Sequence, residues 1–115
     1  PGVAAARKRT ASGPAYAILD PDLPRPRATS TETRRVVVSL GGGPRAEVAC
    51  AIASEIARRV PDVEVRVVGG FVSDAPPARV RRRCPSNVVW TGASTHLPGE
   101  LSRADVAVVG GGMSL

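Results

Sequence analysis

Two glycine triplets carry the strongest chemical signal in this sequence. Gly41, Gly42 and Gly43 follow one apolar run, and Gly110, Gly111 and Gly112 follow another. Glycine reaches positive φ and lets a phosphate approach bare backbone N–H groups. Each triplet opens toward an expected helix N-terminus, whose partial positive charge favours an anion. Two such loops brought together predict a phosphate or diphosphate site. Two tight strand-to-helix turns are the plainer alternative. The missing motifs narrow the ligand. No G-x-x-x-x-G-K-[ST] phosphate loop occurs. The spacing Gly41-x-Gly43-x-x-Ala46 fits the loose dinucleotide fingerprint, which also wants an acid at the end of the second strand to hold a ribose. Gly69 and Gly70 stand there instead, which disfavours a nicotinamide cofactor.

Other reactive side chains are sparse. His96, the single histidine, sits between Thr95 and Leu97 with no acid beside it. It reads first as a surface residue, with a ligand contact as the alternative and a general base as the outlier. Cys50 falls on an apolar helical face and reads as a small core residue. Cys84, just before Pro85, reads as a loop thiol. Two cysteines are too few for a four-ligand zinc site or a disulfide framework. Glu100 and Asp105 are close in sequence, but nothing makes their carboxylates converge, and Asp105 reads as a structural cap. No metal and no resident cofactor is expected.

The elements that must position the glycines alternate in type. The run RVVVSL over residues 35–40 has strand length and β-branched composition. Residues 45–59 repeat at helical spacing, with Val48, Ile52, Ile56 and Val60 four apart and Ala49, Ala53 and Ala57 alongside. Pro44 suits a first helical position, where its missing N–H costs nothing. A second strand is expected over residues 63–68, partly exposed at Glu64 and Arg66. A short helix is expected near residues 78–83, a third strand over 87–91, helical turns over 97–103 and a fourth strand over 105–109. Strand and helix in alternation predict a parallel sheet with right-handed crossovers. The first and fourth strands are apolar on both faces, as central strands are. The simplest doubly wound order is 3-2-1-4, which puts the crevice between strands 1 and 4 at the topological switch point.

Composition bounds the rest. The 115 residues suffice for one domain, and 43% are hydrophobic. No apolar run is long enough for a membrane span, and no signal-peptide pattern opens the chain. The cysteine usage points to a reducing, cytoplasmic setting. The net charge is +6, carried by fifteen arginines and one lysine. Seven basic and three acidic residues fall in residues 1–35, so much of the basicity sits at the front. The body keeps one cluster, Arg79, Arg81, Arg82 and Arg83, without a sustained basic face. Aromatic residues make up 3%. Nucleic acid is therefore not an expected partner. Residues 1–32 hold five prolines and no persistent period, which predicts a largely flexible Pro/Arg-rich linker with one apolar patch at residues 16–19. Residues 33–115 form the expected domain.

At this point the residues carry a family resemblance. The stretch VVVSLGGG over residues 36–43, the VVG over residues 67–69 and the ADVAVVGGGMSL over residues 104–115 resemble the C-terminal half of the glycosyltransferase-B-like fold. The motifs look most like those of UDP-sugar hydrolases of pseudaminic acid biosynthesis and of spore-coat polysaccharide biosynthesis proteins. UDP-GlcNAc transferases are more distant relatives in this likeness. The segment GPAYAILDP over residues 13–21 looks like the stretch that joins the two halves of that family, so the resemblance spans residues 13–115.

The resemblance implies a truncated, Rossmann-like half that binds a UDP-sugar. The diphosphate would meet Gly110, Gly111, Gly112, Met113 and Ser114, together with Gly41, Gly42 and Gly43. The base and sugar would lie near Thr91, Gly92, Ala93 and Ser94, with Gly70, Phe71 and His96 around them. Two departures from the family pattern matter. The family continues past its Gly-Gly-Met with a helix whose Glu holds the ribose, and its N-terminal half supplies the catalytic base. Neither is present, and Pro1 opens the chain in place of Met, so a fragment or processed product is expected. Catalytic residues are expected outside this chain. A shortened sheet would leave strand 4 as an apolar edge, for which a partner chain or self-association is expected.

Overall fold

A computed structural model describes residues 15, 31–41, 45–69, 78–93 and 97–110. The expected linker over residues 1–32 lies almost wholly outside them. The elements follow one another as β1 (Arg35–Ser39), α1 (Ala46–Arg59), β2 (Glu64–Gly69), α2 (Ala78–Arg81), β3 (Val88–Ala93), α3 (Leu97–Arg103) and β4 (Val106–Val109). The strands form one four-stranded sheet in the order β3-β2-β1-β4. All three pairings are parallel. The architecture is therefore α/β and Rossmann-like, with the order that the alternating pattern predicts.

Register assigns the two faces of the sheet. Val36, Val65 and Val88 lie side by side, as do Val38, Val67 and Trp90. Successive strand residues point to opposite faces, so these rows share one face, and α1 covers it. Val37 and Arg66 are paired on the other face. Glu100 of α3 meets Arg66 there. Helices α1 and α3 thus cover opposite faces, which is what right-handed crossovers require when the chain reverses direction across the sheet.

The packing of α1 differs from the simplest reading of its spacing. The buried residues are Ala49, Cys50, Ala53, Ser54 and Ala57. Ile52 and Ile56 sit half-buried at the rim, and Val48 and Val60 are exposed. Small side chains at the contact let the helix axis approach a sheet face already filled by branched valines. The larger row then closes the margin of the core. The helix opens at Ala46, after Pro44, with Arg45 as a cap that lends no side-chain bond. Glu47 in the first turn and Arg58 and Arg59 in the last complement the helix dipole. Pro61 lacks the N–H needed to continue it.

Two element ends shift by two residues, each for a local reason. The short helix ends at Arg81 instead of running to residue 83. Its last amides tighten, with Arg83 N donating to Val80 O and Cys84 N to Arg81 O, and Pro85 follows. Strand β3 runs on to Ala93 because a register irregularity between Val67 and Gly69 lets it gain a residue on β2. Among the described residues β4 stands at the edge of the sheet, as expected for a shortened sheet. No further strand pairs with it among the described residues, and Val106 is 46% exposed. Ala107 is exposed as well.

Candidate functional site

The carboxyl ends of β1 and β4 meet as the strand order requires. Ser39 lies opposite Val109, and the next amide, Gly110 N–H, donates to the Ser39 carbonyl at 3.1 Å. The two strands thus end side by side, β4 directly before Gly110 and β1 one residue, Leu40, before Gly41.

The two exit glycines are glycines for different reasons. Gly41 has φ +81°, the left-handed region that a side chain disfavours, and an added Cβ would meet nothing within 4 Å. Gly110 is required by proximity, because a Cβ there would lie 2.8 Å from the Leu40 carbonyl oxygen. That oxygen belongs to backbone and cannot swing aside. The bare edge of Gly110 is therefore what lets the ends of β1 and β4 close on each other. With its amide committed to Ser39, Gly110 offers an anion space and not a donor. Gly42, Gly43, Gly111, Gly112, Met113 and Ser114 lie outside the described residues.

Residue type alone does not mark Ser39 as a site residue. It is 2% exposed, the buried polar residue nearest the crevice. Its signal in the sequence is its place as the one polar residue within residues 36–40, two positions before Gly41.

The end of β3 stands two strands away from β1, beyond β2. Thr91 is half-buried, and its hydroxyl donates to the Val67 carbonyl at 3.1 Å. This bond sits where the β2–β3 register shifts. Irregularities of this kind re-aim strand ends and are frequent beside binding sites. Thr91, Gly92 and Ala93 all belong to β3. Ser94, His96, Gly70 and Phe71 lie outside the described residues.

The carboxylates near the sequence's end serve structure. The Asp105 Oδ2 accepts from Arg34 N at 2.8 Å and from Arg35 N at 2.9 Å. Glu100 accepts from Arg66 Nε at 3.0 Å. The two do not converge. For Arg66, burial pulls the guanidinium down, and the hydrogen bonds and charge of Glu100, then of Glu64, more than offset it. The net effect is a guanidinium held above its ordinary value.

A cavity of about 680 Å³ lies at the opposite, amino end of the sheet, lined by Thr31, Glu32, Arg34, Arg35, Glu64, Arg103 and Asp105. Its charges are largely spent within the chain. Arg34 pairs with Glu32 at 2.8 Å, and Arg35 pairs with Glu64 at 3.1 Å. Size alone therefore does not make it the ligand site.

Among the described residues no group of three His, Cys, Asp or Glu side chains could hold a metal ion. Among them, too, no helix is long and apolar enough to cross a membrane. Comparison of the chain with family models, curated proteins and solved structures returns no match.

Proposed function

We propose that residues 33–115 act as the UDP-sugar-binding half of a nucleotide-sugar hydrolase or glycosyltransferase in polysaccharide or glycan biosynthesis. The supporting observation is the crevice between β1 and β4. Glycine stands after both strands, and the helices α1 and α3 lie on opposite faces of the sheet. Open parallel sheets bind their ligands in that crevice. The motif resemblance over residues 13–115 supplies the ligand class.

In this reading the diphosphate lies against residues 41–43 and 110–114, with amides beyond Gly110 as the donors. The uracil edge lies near Thr91, Gly92, Ala93 and Ser94, and Gly70, Phe71 and His96 border the sugar. The chain binds and orients UDP-sugar and is inactive alone. The reacting groups come from an N-terminal half-domain or a partner chain. Water delivered to the anomeric carbon gives hydrolysis, and a sugar acceptor gives transfer.

The exposed edge of β4 favours a second reading, a non-catalytic nucleotide-binding or partner domain of a split glycosyltransferase. Val106 and Ala107 face outward from a strand that pairs on one side alone among the described residues. Such an edge invites a partner chain or a second copy.

An NMR titration of the labelled chain with UDP tests the first reading, with AMP and inorganic phosphate as controls. Shifts centred on residues 41–43, 91–96 and 110–114, larger for UDP than for AMP, are expected. A folded chain that shows no shift at millimolar UDP would refute UDP binding by this chain alone and leave the partner-domain reading.

A further inference from the structure

Cys50 and Cys84 come from distant parts of the chain and meet on the α1 side of the sheet. Cys50 is buried on α1, and Cys84 is half-buried in the turn after α2. Both line one cavity of about 330 Å³ with Glu47, Ser54, Arg58 and Arg83. Both thiols belong to the wall of this one cavity, on facing elements α1 and the turn after α2. The Cys84 thiol is also oriented, because it donates to the Val80 carbonyl at 3.4 Å. Burial pushes the Cys50 thiol up to about 11, and the neighbouring Cys84 sulfur adds to the rise.

We infer that Cys50 and Cys84 form a redox-active dithiol that closes to a disulfide on meeting an anionic low-molecular-weight disulfide of the oxidised-glutathione class. Three features argue for this use. Two thiols on the wall of one small cavity can approach by side-chain rotation and a small shift of the turn after α2, and proximity of the two residues is the condition disulfide geometry sets. The cavity gives a small reagent access to the more exposed sulfur. Arg83 at its wall adds a positive charge that favours a reagent carrying carboxylates, whereas Arg58 is shared with Glu55 at 3.9 Å and Glu47 is shared with Arg79 at 3.7 Å.

Accessibility orders the two steps. The Cys84 thiolate attacks one sulfur of the small disulfide, and a glutathione thiolate leaves. The resulting mixed disulfide places the Cys84 sulfur beside Cys50. Cys50 gives up its proton and attacks that sulfur, and the second glutathione thiolate leaves. The protein sulfurs lose two electrons, the reagent gains them, and the two protons end on the two glutathione thiols. The closed form joins α1 to the start of β3 through the turn after α2.

Intact-mass measurement of the full, folded chain with oxidised glutathione tests this. The wild type is expected to lose both free thiols and retain no glutathione. C50S is expected to retain one glutathione, on Cys84. C84S is expected to react more than tenfold slower when folded than in urea, because Cys50 is buried. A wild type that stays reduced, that retains glutathione as C50S does, or that crosslinks two chains would overturn the proposal.

Discussion

Arg66 of β2 lays its guanidinium against the carboxylate of Glu100 on α3, Nε to Oε2 at 3.0 Å. The side chains are 22% and 18% exposed, so neither charge is fully solvated. This ion pair pins α3 to the sheet. Removing Glu100 leaves the half-buried Arg66 with the longer contact to Glu64 at 3.4 Å, at a cost of about 1–2 kcal/mol. Glu100→Ala should lower stability by roughly that amount, read from urea unfolding. The double variant R66M/E100L should lose less than the sum of the single changes. Additive losses would show that the pair contributes nothing beyond each residue alone.

Asp105 holds two successive backbone amides with one oxygen. Asp105→Ala strips the acceptor from Arg34 N and Arg35 N and should cost about 1–2 kcal/mol. Asp105→Asn keeps an oxygen without the charge and should cost less. Amide hydrogen exchange should speed up first at Arg34 and Arg35 in the alanine variant. Unchanged exchange there would remove the clasp from the account of this fold.

The two exit glycines should fail differently when replaced. At Gly41 the obstacle is backbone conformation, so alanine should cost about 1–2 kcal/mol and asparagine less, because asparagine visits the left-handed region more readily. At Gly110 the obstacle is the Leu40 oxygen, so alanine should cost about 1–3 kcal/mol and asparagine no less. Thermal unfolding of the four variants separates the two causes. Equal costs for alanine and asparagine at Gly41 would contradict the conformational explanation.

Alkaline pH should weaken the fold through Cys50. Its thiol is raised from the ordinary 9.0 to about 11 in the folded chain. The unfolded chain therefore loses this proton first, and stability falls as pH rises from about 9 to about 11. Below about 9 the contribution is complete and the curve is flat with respect to this group. C50A should flatten the alkaline limb while losing some packing. A slope unchanged in C50A would assign the alkaline loss to other groups.

Much of this architecture is legible in the sequence because it follows from local patterns. The run RVVVSL, the four-residue spacing through residues 45–59 and the glycine stops define the alternation, and handedness then leaves few orders for four parallel strands. What periodicity conceals is which stripe of α1 faces the sheet. Val48 and Val60 look like core residues, yet the alanines take the contact, and only the width of the valine-filled sheet decides that. The Arg66–Glu100, Thr91–Val67 and Cys50–Cys84 relationships join separate elements and depend on register. At the carboxyl ends of β1 and β4, the glycines that follow the apolar runs are legible in the sequence, and Gly41 and Gly110 are the described ones. Spacing alone does not separate Gly41, fixed by its own φ, from Gly110, fixed by its neighbour.

The Asp105 clasp also bears on how the chain acquires its fold. The carboxylate and the amide of Arg35 are 70 positions apart, and the β1–β4 pairing they adjoin spans a similar interval. Closing so long a loop costs more entropy than joining β1 to β2 across a single helix. Contacts of that range slow folding. β4 is therefore expected to be the last strand to dock and the first to detach. Its four residues, paired on one side alone among the described residues, act as the latch of the sheet, and Asp105 is the catch that keeps it shut.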